Sequence, residues 1–213
     1  MFAKLILFDI QLFITLNSLH SAACDYLFIA LTQLGNSWVA APILVFVVIR
    51  FLPKDKRVRI IVVWTGTLAL SGMGNSLIKS FVQRNRPPLF FERIVERSDA
   101  QAQQIKHHMR KSYGDDYPQI HLPGRVLRRR SFPSGHTNFS FSVAMILVLF
   151  FGAGLWYVFL LAALVAYSRI YLGIHYPLDI LGGVITGCLF TAAAVIPAKY
   201  YLIDNKSSGD SVT

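Results

Sequence analysis

Residues 154–200 read GLWYVFLLAALVAYSRIYLGIHYPLDILGGVITGCLFTAAAVIPAKY, and this stretch decides the fold. It holds two apolar runs, 154–172 and 178–200. Each is close to the roughly 20 residues a helix needs to cross bilayer hydrocarbon. From Gly154 to Ala198 the only charged side chains are Arg169 and Asp179, and both fall where the runs meet. Pro177 suits the first turn of a new helix, where its missing amide proton matters least. The stretch therefore reads as two membrane helices holding a polar turn between them.

Working outward, runs of the same kind cover 36–52, 60–81 and 136–152, the last of them short enough to require extension or tilt. The fold class is all-α: a polytopic membrane bundle of five or six transmembrane helices. Residues 1–34 decide between the two numbers. Leu5, Ile6, Phe8, Leu12, Phe13 and Leu16 suggest an amphipathic helix lying in the interface, and a sixth span is the competing reading. Asp9, Gln11 and Asn17 break the apolar core that a cleavable signal peptide needs, so none is expected. One membrane-embedded domain, 1–202, accounts for the length, with 203–213 as a frayed polar tail.

Composition agrees. Of the 213 residues 54% are hydrophobic and only 15% charged, against about 25% charged in a soluble domain. The formal net charge is +10, yet 11 of the 21 Lys and Arg lie between Arg84 and Arg130. Charge gathered in one polar segment points to a local anion, phosphate above all, and no nucleic-acid partner is expected. Cys24 and Cys188 form neither a disulfide framework nor a metal-ligand cluster.

Arg50, Lys54, Lys56, Arg57 and Arg59 crowd the short loop after the first sure span and place it in the cytoplasm by the positive-inside tendency. The next span then delivers the basic loop 82–133, extramembrane, to the outer face. Long polar loops translocate largely regardless of charge, so that loop's own charge is assigned to binding an anion.

Three clusters bear on chemistry. Lys79 and Arg86-Pro87 close the 60–81 span; snorkelling with a proline stop is the plain reading, an anion site the functional one. Pro133-Ser134-Gly135-His136 opens the next span. It reads either as an ordinary helix cap or as helix-start amides and a histidine beside an anion. Ser168-Arg169 precedes His175 and Asp179, whose spacing lets the carboxylate hold one ring nitrogen and direct the other's lone pair. A capping Asp with a structural His is the alternative. By the loop assignments all three clusters reach one membrane face.

Taken together, these motifs resemble the three signatures of the type 2 phosphatidic acid phosphatase superfamily in order and spacing, from residue 79 to 179. The resemblance implies a nucleophile at His175 that becomes a phosphohistidine, supported by Asp179, with His136 as general acid. It implies that Lys79, Arg86, Ser134, Gly135 and Arg169 hold the phosphoryl oxygens. Three cations stand where a divalent metal would, so neither metal nor other cofactor is expected. The implied substrate is a membrane lipid phosphate or diphosphate. Candidates are undecaprenyl diphosphate, phosphatidylglycerol phosphate, phosphatidic acid and lipid A phosphates, met at the outer face of a bacterial inner membrane. Two rivals remain: a non-catalytic lipid-binding or transport protein of the same architecture, and a vanadium-dependent haloperoxidase, whose anion pocket is similar but whose relatives are soluble and larger. His107 and His108 read as a solvated surface, Arg128, Arg129 and Arg130 as attractors of anionic headgroups, and Tyr167, Tyr171 and Tyr176 as an interfacial aromatic belt.

Overall fold

The structure is a computed structural model describing residues 2–94, 98, 100–113, 119–124 and 126–200; the 203–213 tail lies outside the described residues. Among them the regular structure is helical, with no strand. The helices are α1 (Phe2–Asn17), α2 (Ala22–Gln33), α3 (Ser37–Phe51), α4 (Lys54–Val82) and α5 (Pro87–Ile94). They continue as α6 (Ala100–Tyr113), α7 (Gly135–Phe151), α8 (Val158–Tyr171) and α9 (Pro177–Lys199).

Local chemistry sets the ends that matter. Helix α4 runs 29 residues with no internal proline and stops at Gln83, whose left-handed conformation (φ 46°) returns its N–H to Lys79 O. Ser134 caps α7 by accepting from the Thr137 amide, and Gly173 (φ 70°) turns the chain out of α8. In α9 Asp179 accepts from the Tyr176 N–H at 2.9 Å. The consequence is that α4 and α8 end, and α7 and α9 begin, at one pole of the bundle. The basic 50–59 segment joins α3 to α4 at the opposite pole.

Helices α7 and α9 meet backbone to backbone. A Cβ on Gly183 would lie 2.7 Å from Ser134 O, and one on Gly187 would lie 2.5 Å from Asn138 O. Small residues permit such contact where lipid offers no hydrophobic drive to associate. A buried polar ladder then fixes α4 to both. Asn138 Nδ2 donates to Ser71 Oγ and Thr186 Oγ1, each at 3.1 Å, and Ser71 and Ser142 pair at 3.0 Å. Leu70, Met73, Leu77, Leu189 and Ile196 point outward, as a lipid-facing surface requires.

Among the described residues three stretches are each long and apolar enough to cross a membrane: Lys54–Ile94, Ala153–Tyr171 and Pro177–Lys199. The spans expected at 36–52 and 136–152 are apolar helices of 15 and 17 residues, about 22 and 26 Å long.

The N-terminal segment departs from expectation. Instead of one helix it is a pair, α1 and α2, bent by 116°, which together are long and apolar enough for one broken span or a re-entrant loop. Ile10, Phe13 and Ile14 pack on Ile94, Ile105, Met109, Ile170 and Tyr176, so α1 lies on the protein rather than on lipid. Its polar residues are the reason. Asn17 Nδ2 donates to the carbonyls of Tyr171 at 2.8 Å and His121 at 3.1 Å, and Asp9 is buried on partners described below. The aromatic belt is also corrected. Tyr171 and Tyr176 are fully buried, and the Tyr171 hydroxyl donates to Asp25 Oδ1 at 2.6 Å.

Candidate active site

The shared pole gathers the three clusters. His175 is 1% exposed and sits in the turn between α8 and α9. Its Nδ1 lies 3.4 Å from Asp179 Oδ2, and its Nε2 lies 2.9 Å from Arg86 Nη1. A carboxylate on Nδ1 and a guanidinium donor on Nε2 are both satisfied by one tautomer, with the proton on Nδ1. Burial first, and then the charges of Arg86, Arg169 and Lys79 together with His136, push this imidazole well below its usual value. It is therefore neutral at physiological pH, with a lone pair aimed among three cations.

Each cation is held by backbone or a short side chain. Arg86 donates through Nε to Arg129 O at 2.9 Å and through Nη1 to Ile174 O at 3.2 Å, while its own amide reaches Arg128 O. The 128–130 arginines thus serve Arg86 with their carbonyls and keep their side chains exposed. Arg169, 4% exposed, donates to Thr32 Oγ1 at 2.6 Å, and its buried Nε has no partner among the described residues. A buried, unpaired guanidinium donor is costly, and an anion's oxygen would complete it. Lys79 points at the α7 start: a Cβ on Gly135 would lie 3.9 Å from its Nζ and 3.8 Å from Asn75 Nδ2. Gly135 leaves that space open.

Ser134 is completely buried and bound to the far cluster, its amide donating to Asp179 O at 2.9 Å. Its oxygen accepts from Thr137 Oγ1 at 3.0 Å, which is the capping reading of the motif. His136 follows in the first turn, packed against Gly35 and Val165. All eight residues singled out in the sequence therefore converge on this pole. His107 is exposed and His108 pairs with Gln11, both away from it.

Residues 60–201 match the sequence profile of the PAP2 superfamily. This chain belongs to that superfamily. A 59-residue segment, 28% of this chain and 29% of the relative, is 44% identical to the bacitracin transport permease protein BcrC of Bacillus licheniformis. A 69-residue segment, 31% of this chain and 34% of the relative, is 39% identical to the putative undecaprenyl-diphosphatase YbjG of Escherichia coli. The matches thus span about a third or less of these curated relatives. Over nearly the whole chain the fold resembles the crystal structure of Aquifex aeolicus LpxE. The TM-score there is 0.64 at 25% identity, covering 87% of this chain and 93% of that one.

Several residues of this PAP2 site escaped the sequence reading. Arg84 bridges two buried carboxylates, donating through Nη1 to Asp179 Oδ1 at 2.8 Å and through Nη2 to Asp9 Oδ2 at 2.5 Å. Asp9 also accepts from the Leu178 amide at 2.9 Å. The Arg84 guanidinium lies over the Tyr176 ring, 4.1 Å from its centroid. Asp9, Thr32 and Gly35 all precede the segment that matches the superfamily profile. The available signal was burial-prone polarity, Asp9 and Asn17 standing eight residues apart in a largely apolar helix.

Proposed function

We propose that this protein is an integral membrane phosphatase that hydrolyses a lipid phosphate or diphosphate monoester. The observation that carries it is the neutral His175 Nε2 held among Arg86, Arg169 and Lys79, with Asp179 behind the ring. The phosphoryl group replaces the Arg86–His175 contact, and its oxygens take donors from Arg86, the unpaired Arg169 Nε and Lys79. Nε2 attacks phosphorus, and the bond to the lipid oxygen breaks. His136 donates the proton to that oxygen. Asp179 stabilises the ring as it gains positive charge. Water then attacks the phosphohistidine and gives a proton to His136, the P–N bond breaks, and inorganic phosphate leaves with both histidines restored. The covalent intermediate replaces one hard step by two easier ones.

No group of three or more His, Cys, Asp or Glu side chains among the described residues could hold a metal ion. The donor set is cationic instead, and cations at the equatorial oxygens do the work of charge neutralisation. The putative undecaprenyl-diphosphatase among the relatives supports a lipid substrate, polyprenyl diphosphate being the chemistry that its name carries. The site faces the outer side of a bacterial inner membrane, opposite the basic 50–59 segment.

The test is inorganic phosphate release by the detergent-purified protein from polyprenyl diphosphate, phosphatidate, phosphatidylglycerol phosphate and lipid A. Release by the wild type, lost to background in a His175→Ala protein that still elutes as a folded species, is expected. Full activity of that variant would remove His175 from the chemistry. Lipid binding without release from any substrate would favour a transport or binding role, a reading that the permease name of one relative keeps in view.

A further inference from the structure

An apolar cavity of about 170 Å³ opens between α3, α7 and α8. Its walls begin one helical turn from two residues of the site. On α7 the wall runs Ser140, Val143, Leu147, and Ser140 follows His136 by four positions. On α8 it runs Val165, Leu161, Val158, and Val165 precedes Arg169 by four. Residues four apart lie on the same helix face. Both walls therefore descend from directly beneath the site, over about 10 Å. Val165 belongs to the groove and also packs at the Gly35–His136 contact, so the upper end of the groove borders the site. Ile43 of α3 lines the third side. Ser140 is the one hydroxyl among the lining side chains, and it is spent on Thr137 O at 3.2 Å.

Resting on the phosphatase reading above, we propose that this groove holds the head-proximal part of one hydrocarbon chain of the substrate. The argument is directional. The oxygen that leaves phosphorus takes its proton from His136, so what is attached to it, the chain's first carbon in a monophosphate or the inner phosphate in a diphosphate, must emerge on the His136 side. From there the α3–α7–α8 groove is the apolar surface that leads into the bilayer. The groove reads the chain attached to the phosphate ester, whether prenyl or acyl, while the cations read the phosphate.

Leu161 and Ile43 are half-exposed, 46% and 49%, so bulk there narrows the groove without entering a packed interface. The experiment compares kcat/KM for a long-chain prenyl monophosphate and for a diacyl phosphatidate, each against a short water-soluble ester of the same headgroup. Micelle composition is held fixed. Leu161→Trp and Ile43→Trp are expected to lower the long-to-short ratio by about tenfold, chiefly through KM, as displacing about two methylenes would. Leu160→Trp, 56% exposed on the same helix but outside the groove, keeps the wild-type ratio. A fall with only one of the two lipids identifies the chain chemistry that the groove accepts. An unchanged ratio in both groove variants overturns the assignment, as does an equal change at Leu160. Failure of the wild type to release phosphate from any ester refutes the phosphatase reading instead, and the groove's role in catalysis falls with it. Binding is read separately in the His175→Ala protein, using a lipid phosphate with a diazirine near the head of its tail. Labelling is expected in 140–147 and 158–165, and labelling confined to other segments overturns the proposal.

Discussion

Replacing Arg84 by methionine would strand two carboxylates at once. Asp9 and Asp179 are 1% and 0% exposed, while the Arg84 side chain itself keeps 22% of its surface. Removing one partner of a buried ion pair costs about 3–5 kcal/mol. The partial exposure of Arg84 favours the lower end, about 3 kcal/mol. For a chain of this length each kcal/mol lowers the melting temperature by about 2–4 °C, so Arg84→Met should melt about 6–12 °C below the wild type. The assay is the loss of monodisperse elution from size exclusion after heating in a fixed detergent. Asp9→Asn gives a sign that mere side-chain loss does not. Alone it destabilises, because Arg84 loses a charge partner. Combined with Arg84→Met it removes one of the two stranded charges, so the double variant should be no less stable than Arg84→Met. Two destabilisations that simply add, or an Arg84→Met protein melting within about 2 °C of wild type, would refute the bridge.

Excess chelator should leave phosphate release within about twofold of the untreated rate, well inside the tenfold that about 1.4 kcal/mol would produce; loss restored by added Mg²⁺ would overturn the metal-free chemistry. Gly35→Ala places a Cβ 2.9 Å from His136 Cβ, His136 Cδ2 and Val165 Cγ1. The imidazole must shift to make room, and kcat should fall by up to about 100-fold while the protein remains folded; circular dichroism alongside steady-state kinetics checks both.

The site was legible where its residues are close in sequence. His175 and Asp179 stand four apart, Ser134 to His136 are contiguous, and Lys79 and Arg86 flank one helix end, so local spacing alone aligns them. Convergence of the clusters followed from alternating helix direction. The partners of those residues were not legible, because each comes from far along the chain and carries no local pattern. Thr32 meets Arg169 across 137 positions, and Asp9 meets Arg84 across 75. The Ser71–Asn138–Thr186 ladder was hidden for the same reason: single small polar residues hardly alter an apolar run. Tyr171 and Tyr176 misled because an aromatic at a helix end reads as interfacial until its packing is known, here Asp25 and Phe28 on Tyr171 and Phe13 and Arg84 on Tyr176. The 136–152 run forms a helix of the length read from the sequence, displaced by one residue, and the 36–52 run loses two.

The tie between Asp9 and the Leu178 amide spans 169 positions. A ribosome adds about 5–20 residues each second, so Asp9 spends on the order of ten seconds or more without that partner. During this interval α1 can settle on α5 and α6, on Arg84 through Asp9 and, once α8 is made, on Ile170 and the Tyr171 carbonyl. Its final seat is reached when α9 arrives and offers its first turn. The beginning of the polypeptide is thus among the last parts to be locked. A nascent chain halted before residue 178 would carry an α1 with Asp9 short of its second anchor, and so would be more open to proteolysis at the N-terminus than the finished protein.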